Sequence, residues 1–401
     1  MGIWDGSTYT EDVNMSDFKA VLVAVITAAI MCSGIFCGGD SDSEIDASSV
    51  PESAGIDTVH VSVTDTLGLL MGDSTKVFGT ITQASYGSDG SIFVLDGQKA
   101  RLGIYTSDLD FVRFVGRRGS GPGEFQYPQS FAFLRDGRLA VCDWGAGSVV
   151  FFDSTLNYIE HLTGYYPDSP RYIVAGPGNT YVAMNMSLQQ DEEGIRGSSF
   201  IARFSDSIEH DHIYDSWPLM ITAYGDPEDP DLSIGRVDQD FDSDISGTVY
   251  LAERDDSTYL VETFLPDGLV DTLVQKDWER VEKSQQQLEQ QLYEETRQEG
   301  QGGGQMGRRT IQDIFPYLNA IGSVDVDTSG NIWVGQGYTE TPTFEIYSPS
   351  GQLKYVAVIP ELTGTRGLEY CFHNGYLAYD RQPEDYPKVY MLELELDVFS
   401  P

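Results

Sequence analysis

The chain has 401 residues, enough for one large domain with additional segments. It carries 63 acidic side chains against 24 Lys and Arg, giving a formal net charge of -39. This charge disfavours non-specific binding to nucleic acid or anionic lipid, so we expect no nucleic-acid partner. Only four cysteines occur, which excludes a small fold that is stabilised by a set of disulfide bonds.

An apolar run near the N-terminus predicts export. Residues 20–31 are almost wholly apolar and follow Lys19, but they are fewer than the roughly 20 residues of a spanning helix. We therefore interpret residues 1–37 as an export or lipoprotein signal, with Met15 as an alternative start and Cys37 as the candidate lipidation site. A plain secretory signal and an uncleaved anchor are the alternatives. Residues 38–56 are polar and predict a flexible tether.

Six segments downstream share one pattern: a turn with Gly or Asn, a short apolar strand and, in most of them, a polar residue at its end. They are SIFVLD, RLAVCD, NTYVAM, TVYLAE, NIWVGQ and YLAYD, beginning at Ser91, Arg138, Asn179, Thr248, Asn331 and Tyr376. The starts are 47, 41, 69, 83 and 45 residues apart. A period near 40 to 45 residues with four short strands per unit is typical of propeller blades, and the longer spacings mark insertions.

The last unit is one strand short at the C-terminus. The strand VHVSV, which begins at Val59, precedes the first complete unit and is predicted to supply the missing edge. This closure would pair the two ends of the domain and remove the open edges of the ring. The predicted domain is therefore an all-β, six-bladed β-propeller over residues 57–401.

One insertion, about residues 276–312, lies between the fourth and fifth units. Within it, Trp278, Val281, Leu288 and Leu292 follow helical spacing, which predicts an amphipathic helix over residues 277–298. A glycine-rich segment follows from Gly300. The helix either packs its apolar stripe on the rim of the propeller or binds a partner.

Residues 116–143, GRRGSGPGEFQYPQSFAFLRDGRLAVCD, resemble the repeat of NHL-type propellers. That repeat has a glycine-rich segment ending in Phe, a proline, a strand, an Asp-Gly turn and a strand ending in Asp. The chain is especially similar to uncharacterised bacterial six-bladed propeller lipoproteins. The resemblance implies the fold, export and interaction roles more than a reaction, although some members of the broader superfamily are lyases or lactonases with a metal in the channel.

Residues that end the second strand of each unit should surround one mouth of the central channel. Four of them are acidic and are candidate ligands for Ca²⁺ or another divalent cation: Asp96, Asp143, Glu253 and Asp380. In NHL-type blades, however, an Asp at this position often holds the adjoining loop through backbone hydrogen bonds. No cofactor is predicted beyond this weaker metal hypothesis.

Several arginines should lie at the same face as these acids. Together with the aromatic side chain of Trp144, they form a candidate site for a carboxylate, a phosphate or an acidic glycan. The alternative is that each arginine pairs with a neighbouring acid. The set is Arg117, Arg118, Arg171, Arg236, Arg254, Arg366 and Arg381.

No GxSxG, HExxH or Walker-type motif occurs in the sequence. We therefore favour an exported, membrane-tethered propeller, periplasmic or at the cell surface, that binds a protein, a peptide or an anionic glycan. The competing class is a metal-assisted lyase, lactonase or other hydrolase with its site in the central channel. That alternative predicts a tightly held metal and a channel acid with a perturbed pKa.

Overall fold

The computed structural model describes residues 56–165, 170–191, 194–221, 238–289, 291–292, 311, 316–365, 367–381, 383 and 385–395. The predicted export signal, Cys37 and nearly all of the tether lie outside these residues, as do Arg236 and Arg366. Within the described part of the chain, no helix is long and apolar enough to cross a membrane.

The described chain folds into four separate four-stranded antiparallel sheets and one eight-stranded sheet that contains two further blades, which confirms the six-bladed β-propeller. The first strand of the chain, β1 (Asp57–Leu67), belongs to the last blade. The strands of blades 1 to 3 are β2 (Ile81–Tyr86), β3 (Ile92–Asp96), β4 (Arg101–Tyr105), β5 (Phe111–Val115), β6 (Pro128–Phe133), β7 (Leu139–Asp143), β8 (Ser148–Phe152), β9 (Tyr158–Thr163), β10 (Tyr172–Ala175), β11 (Tyr181–Asp191), β12 (Gly194–Phe204) and β13 (His210–Ile221).

Blades 4 to 6 complete the ring. Their strands are β14 (Asp238–Ser243), β15 (Val249–Arg254), β16 (Tyr259–Phe264), β17 (Val270–Lys276), β18 (Ile321–Val326), β19 (Ile332–Gln336), β20 (Thr343–Tyr347), β21 (Leu353–Val358), β22 (Leu368–Cys371), β23 (Tyr376–Asp380) and β24 (Val389–Leu394). Short 3₁₀ helices follow two of the strands at Trp144–Ala146 and Pro360–Leu362. Residues 285–289 and 291–292, inside the predicted inserted helix, are helical.

Strand β1 closes the ring, as the sequence predicts. Its second half pairs antiparallel with β24 from Val61 to Leu67, so it forms the outer strand of blade 6. Its first half pairs parallel with β21 of blade 5 from Asp57 to His60. Because β1 bonds to two blades, the closure joins blades 5 and 6 and leaves neither outer strand as an open edge at this junction.

Large apolar side chains between adjacent blades form the core. Phe93 of blade 1 packs against Phe131 and Phe133 of blade 2, and Trp333 of blade 5 packs against Phe372 and Tyr376 of blade 6. The core therefore lies between the sheets and encircles the channel, so it leaves the inner strands free to present polar side chains to the channel.

Polar side chains link the inner strands of neighbouring blades, whose backbones do not pair. The Gln83 amide of blade 1 donates to the carbonyl of Phe131 in blade 2 and accepts from its N–H, at 3.0 and 2.6 Å. Ser130 of blade 2 donates to the carbonyl of Arg171 in blade 3 at 3.0 Å, and Ser243 of blade 4 donates to that of Ala175 in blade 3. These bonds satisfy backbone groups that would otherwise face the channel without partners.

Candidate functional site

The upper face of the propeller is the face at which the second strands end, at residues such as Asp96, Asp143 and Asp380. At the opposite, lower face, turns such as the one from Asp244 to Gly247 join the first two strands of each blade. The described connections between blades lie at the upper face. The described residues of the predicted metal and arginine sites therefore belong to this face.

Two of the four predicted metal ligands hold connections between blades. The Asp96 carboxylate accepts hydrogen bonds from the backbone N–H groups of Gly79, Thr80 and Lys99 at 3.0, 3.2 and 3.0 Å. The Asp143 carboxylate accepts from those of Gln126 and Tyr127 at 2.6 and 2.7 Å. Burial raises the pKa of Asp143 even though these backbone bonds lower it. Both carboxylates therefore perform the loop-holding role that the NHL resemblance implies.

The other two predicted ligands lie at the ends of β15 and β23. Glu253 is half-buried, and its pKa is raised by burial and then by the nearby charges of Asp255, Asp215 and Glu262. Asp380 is buried at the end of β23. Among the residues that the structure describes, no three His, Cys, Asp or Glu side chains are arranged to hold a metal ion. The metal site stays a prediction of the sequence.

The arginines of the first connection between blades have local partners. The Arg117 guanidinium pairs with Glu124 at 2.7 Å, and Arg118 donates to the backbone carbonyls of Gln126 and Gln98. Trp144 packs edge-on against Tyr127 beside this connection, with ring centroids 6.3 Å apart. Arg171 lies at the start of the inner strand of blade 3, where its backbone N–H donates to the backbone carbonyl of Met184.

The structure brings Arg254 and Arg381 together at the mouth of the channel. One guanidinium nitrogen of Arg254 lies 3.1 Å from a carboxylate oxygen of Asp240 and 3.7 Å from one of Glu369. The other oxygen of Glu369 lies 3.6 Å from Arg381. Two guanidinium groups thus share the carboxylate of Glu369, so this pair of predicted ligand-binding arginines already contacts acids of the chain.

Carboxylates of blade 4 reach the inner strand of blade 5. Asp240 accepts a hydrogen bond from the N–H of Val324, and Asp242 accepts one from the N–H of Val326, both at 2.8 Å. Val324 and Val326 point into the core between the blades. Since side chains alternate along a strand, Asp325 between them points into the channel.

Asp325 is the most isolated acid of the channel wall. It is 7% exposed, and its carboxyl group forms no hydrogen bond or ion pair with any described residue. Burial raises the pKa of Asp325 well above its usual range, and the charges of Asp242, Asp240 and Glu369 raise it further, against the opposing effect of Arg254. A carboxyl group in this setting favours its neutral form. It is the perturbed channel acid that the enzyme alternative predicts, but it lies outside any metal-binding group of the described residues.

His373 lies at the lower end of the channel beside Asp242. Its Nδ1 lies 3.4 Å from a carboxylate oxygen of Asp242. Burial lowers the pKa of His373, but the Asp242 charge and hydrogen bond outweigh it, and the net pKa is raised. The thiol of Cys371 donates to the hydroxyl of Ser85 across the junction of blades 6 and 1, and burial raises its pKa to about 12.

Sequence reasoning did not identify the acids of the channel wall. It did not place Asp240, Asp242, Asp325 or Glu369 at the channel. The available signal was the alternation in the first strand of each unit, where every second residue faces the channel. Reading that alternation in DFDS, which begins at Asp240, and in SVDV would have placed Asp240, Asp242 and Asp325 on the channel wall.

A second feature lies on blade 3. Strands β11 to β13 have 11, 11 and 12 residues, and they continue past the start of β10 on the upper side. A cavity of about 620 Å³ separates them from the segment that follows β9. Its walls include Tyr165, Phe200 and Ile213 as well as Ser187, Ser198 and Ser216. Its volume is within the range of small-molecule sites.

Comparison with known proteins supports the fold. Residues 74–203, from before blade 1 into the third strand of blade 3, match the model of a family described as a 6-bladed beta-propeller, DUF5128. No curated protein sequence matches the chain.

Solved structures similar to this chain include propellers with diverse descriptions. A Bacteroides fragilis protein described as a candidate exported protein is 11% identical, with 84% of this chain and 99% of that chain covered and a TM-score of 0.47. Regucalcin from Agrobacterium tumefaciens, described as calcium-binding, is 8% identical, with coverage of 83% and 95% and a TM-score of 0.44. Virginiamycin B lyase from Staphylococcus aureus is 9% identical, with coverage of 82% and 98% and a TM-score of 0.42. Similarity at this level does not extend to function.

Proposed function

We propose that the protein is an exported binding propeller, tethered to a bacterial membrane through its N-terminal segment, which engages a protein or peptide at the upper mouth of its channel. Export and tethering rest on the sequence, namely the apolar residues 20–31 and the polar residues 38–56. Lipidation of Cys37 would supply the anchor.

The observation that carries this proposal is that both large additions to the four-stranded blades lie on the upper face. The long strands of blade 3 project on the upper side, and the insertion between blades 4 and 5 begins after β17 on the same side. Trp278 at the start of that insertion packs against Tyr259 and Tyr338, so its base is held to the rim. Loops and projections on a rigid ring are where propellers and other scaffolds place binding residues.

The charges at this mouth favour a ligand with polar groups of both signs. Glu369, Arg254 and Arg381 are each partly accessible, with side-chain exposures of 22, 13 and 29%. A protein or peptide can match such alternating charges at several points, whereas a purely anionic ligand would have to compete with Glu369 and Asp240 for the arginines. A peptide or protein is therefore the ligand class that we favour within the predicted set.

Selection from a random peptide display library tests the proposal. Peptides selected on the full-length protein in non-ionic detergent would be titrated against the wild type and against a variant that combines Glu369→Gln with Arg381→Gln. We expect the double substitution to weaken binding by at least about tenfold, because it removes the shared ion pair at the mouth. Ile245→Ser, in an exposed turn of the lower face, is the matched control and should leave affinity unchanged.

Two results would overturn this function. One is a library that yields no peptide with affinity for the folded wild-type protein. The other is a set of peptides whose affinity falls with Ile245→Ser and not with the substitutions at the mouth, which would place the ligand on the lower face.

A further inference from the structure

The inner wall of blades 4 to 6 contains an acid that has no hydrogen bond or ion pair with any described residue, surrounded by acids that do have such partners. Asp240 is paired with Arg254, Asp242 with His373, and Glu369 with both Arg254 and Arg381. Asp325 lies between the two backbone N–H groups that Asp240 and Asp242 occupy, and its own carboxyl group has no such partner among the described residues.

Every element around Asp325 contributes a charged or titratable group. They are Asp240 and Asp242 from β14, Arg254 from β15, Glu369, Tyr370 and Cys371 from β22, Tyr172 from β10 and Tyr379 from β23. Burial raises the pKa of each of these three tyrosines and of the Cys371 thiol, so they are neutral near pH 7. Among the described residues, Arg254 is a cation whose charge acts on Asp325, and it already contacts Asp240 and Glu369.

We propose that Asp325 is the receptor for a ligand's primary ammonium group, in the form of a lysine side chain that a bound peptide or protein inserts into the channel from the upper mouth. This inference rests on the proposed function and names its ligand class. A compact ammonium group offers three donors, which suits one unpaired carboxyl flanked by Asp240 and Asp242.

The proposal places the four-carbon stem of the lysine beside the partly exposed pair of Glu369 and Arg381, with the ligand backbone outside the ring. The ammonium group would then lie beside three carboxyl groups, of which two already have partners. An anionic side chain would instead be repelled by Asp240 and Asp242 at this depth.

Binding should be linked to a proton. A cation beside Asp325 favours the ionised carboxylate, so the neutral carboxyl group releases its proton to solvent as the ammonium group binds. Affinity should therefore increase as the pH rises toward the pKa of the free Asp325 carboxyl, and one proton should leave per ligand bound.

Titration calorimetry with a matched pair of peptides tests this inference. The probes are Ac-Gly-Gly-Lys-Gly-Gly-NH2 and the same peptide with norleucine in place of lysine, added to the full-length protein in detergent. We expect the lysine peptide to bind at least about tenfold more tightly, and to do so with proton release in buffers of different ionisation enthalpy.

Two variants test whether the preference for lysine depends on the Asp325 carboxyl group and not on the fold as a whole. Asp325→Asn resembles the neutral carboxyl group in shape and should retain the fold, but it should lose the preference for lysine and the proton release. Asp108→Asn makes the same chemical change in an exposed turn of blade 1 and should alter neither the preference for lysine nor the proton release.

The outcomes distinguish this inference from the function on which it rests. Equal binding of the two probes, no binding of the lysine probe, or an unchanged preference in Asp325→Asn overturns the lysine subsite. If library peptides still depend on Glu369 and Arg381 in that case, the upper mouth remains the binding site and the subsite alone is wrong. If those peptides bind without dependence on the mouth, the proposed function fails as well.

Discussion

Arg254 of blade 4 lies 3.7 Å from Glu369 of blade 6, so an ion pair spans the channel mouth in front of blade 5. The same nitrogen of Arg254 lies 3.1 Å from Asp240 of its own blade. A side chain at the end of a second strand thus joins two inner strands that share no backbone bond. Its loss should affect the integrity of the ring as well as the charge of the mouth.

Replacement of Arg254 by Met should lower the free energy of unfolding by about 2 kcal/mol, because two partly buried carboxylates lose a cation. Glu369→Gln should reduce that cost, since it removes one of the two stranded charges. Urea unfolding of both single variants and of the double variant measures the coupling. Strictly additive losses would show that the Arg254–Glu369 pair contributes nothing to the free energy of unfolding.

Asp143→Ala should lower the free energy of unfolding by about 3 kcal/mol, because it leaves the buried N–H groups of Gln126 and Tyr127 without an acceptor. Asp108→Ala removes an exposed carboxylate and should cost less than about 0.5 kcal/mol. Thermal unfolding with and without added Ca²⁺ makes the comparison. A loss seen only in the presence of Ca²⁺ would instead favour the metal hypothesis for Asp143.

Gly116→Ala tests the glycine-rich connection that carries the NHL resemblance. Gly116 has φ of 73°, and an added Cβ would lie 2.1 Å from the ring of Phe125, which is fully buried. Gly178→Ala is the matched control, because Gly178 has φ of 63° with open space around it. We expect the control to cost about 1 kcal/mol and Gly116→Ala about 2 kcal/mol more. Equal losses in urea unfolding would mean that Phe125 moves away without cost.

His373 should make stability depend on pH. Its folded pKa is raised by Asp242, so the pair stabilises the protein below the unfolded value of about 6.5, and this contribution is lost as the pH rises through the higher folded value. The difference in unfolding free energy between wild type and His373→Asn should therefore shrink with rising pH. A difference that grows above pH 7 would contradict the ion pair.

The blades were predictable because each repeats a local pattern. Turns such as the one from Asp327 to Gly330 and the alternating apolar residues between them specify antiparallel strands at short range. The closure by β1 was also predictable, since a sixth unit one strand short needs an outer strand and VHVSV has the required alternation.

The channel site was not predictable, because it depends on which strands meet across the ring. Asp325 and Glu369 are 44 residues apart, and both owe their setting to Arg254 from a third blade. A count of acids at the ends of the second strands identified Asp96 and Asp143, whose carboxylates hold loops. The acids that face the channel lie on the inner strands. Their partners come from other blades, so they can be identified only in the assembled ring.

We expect the ligand to bind at the upper mouth, and photo-crosslinking reports directly which face of the propeller the ligand contacts. A benzophenone amino acid would replace Gln126, exposed on the upper face, or Ile245, exposed on the lower face, and each protein would be irradiated with a library-selected peptide. We expect a crosslinked peptide from position 126 and none from position 245. Crosslinking from position 245 alone would place the ligand on the lower face and contradict the proposed function.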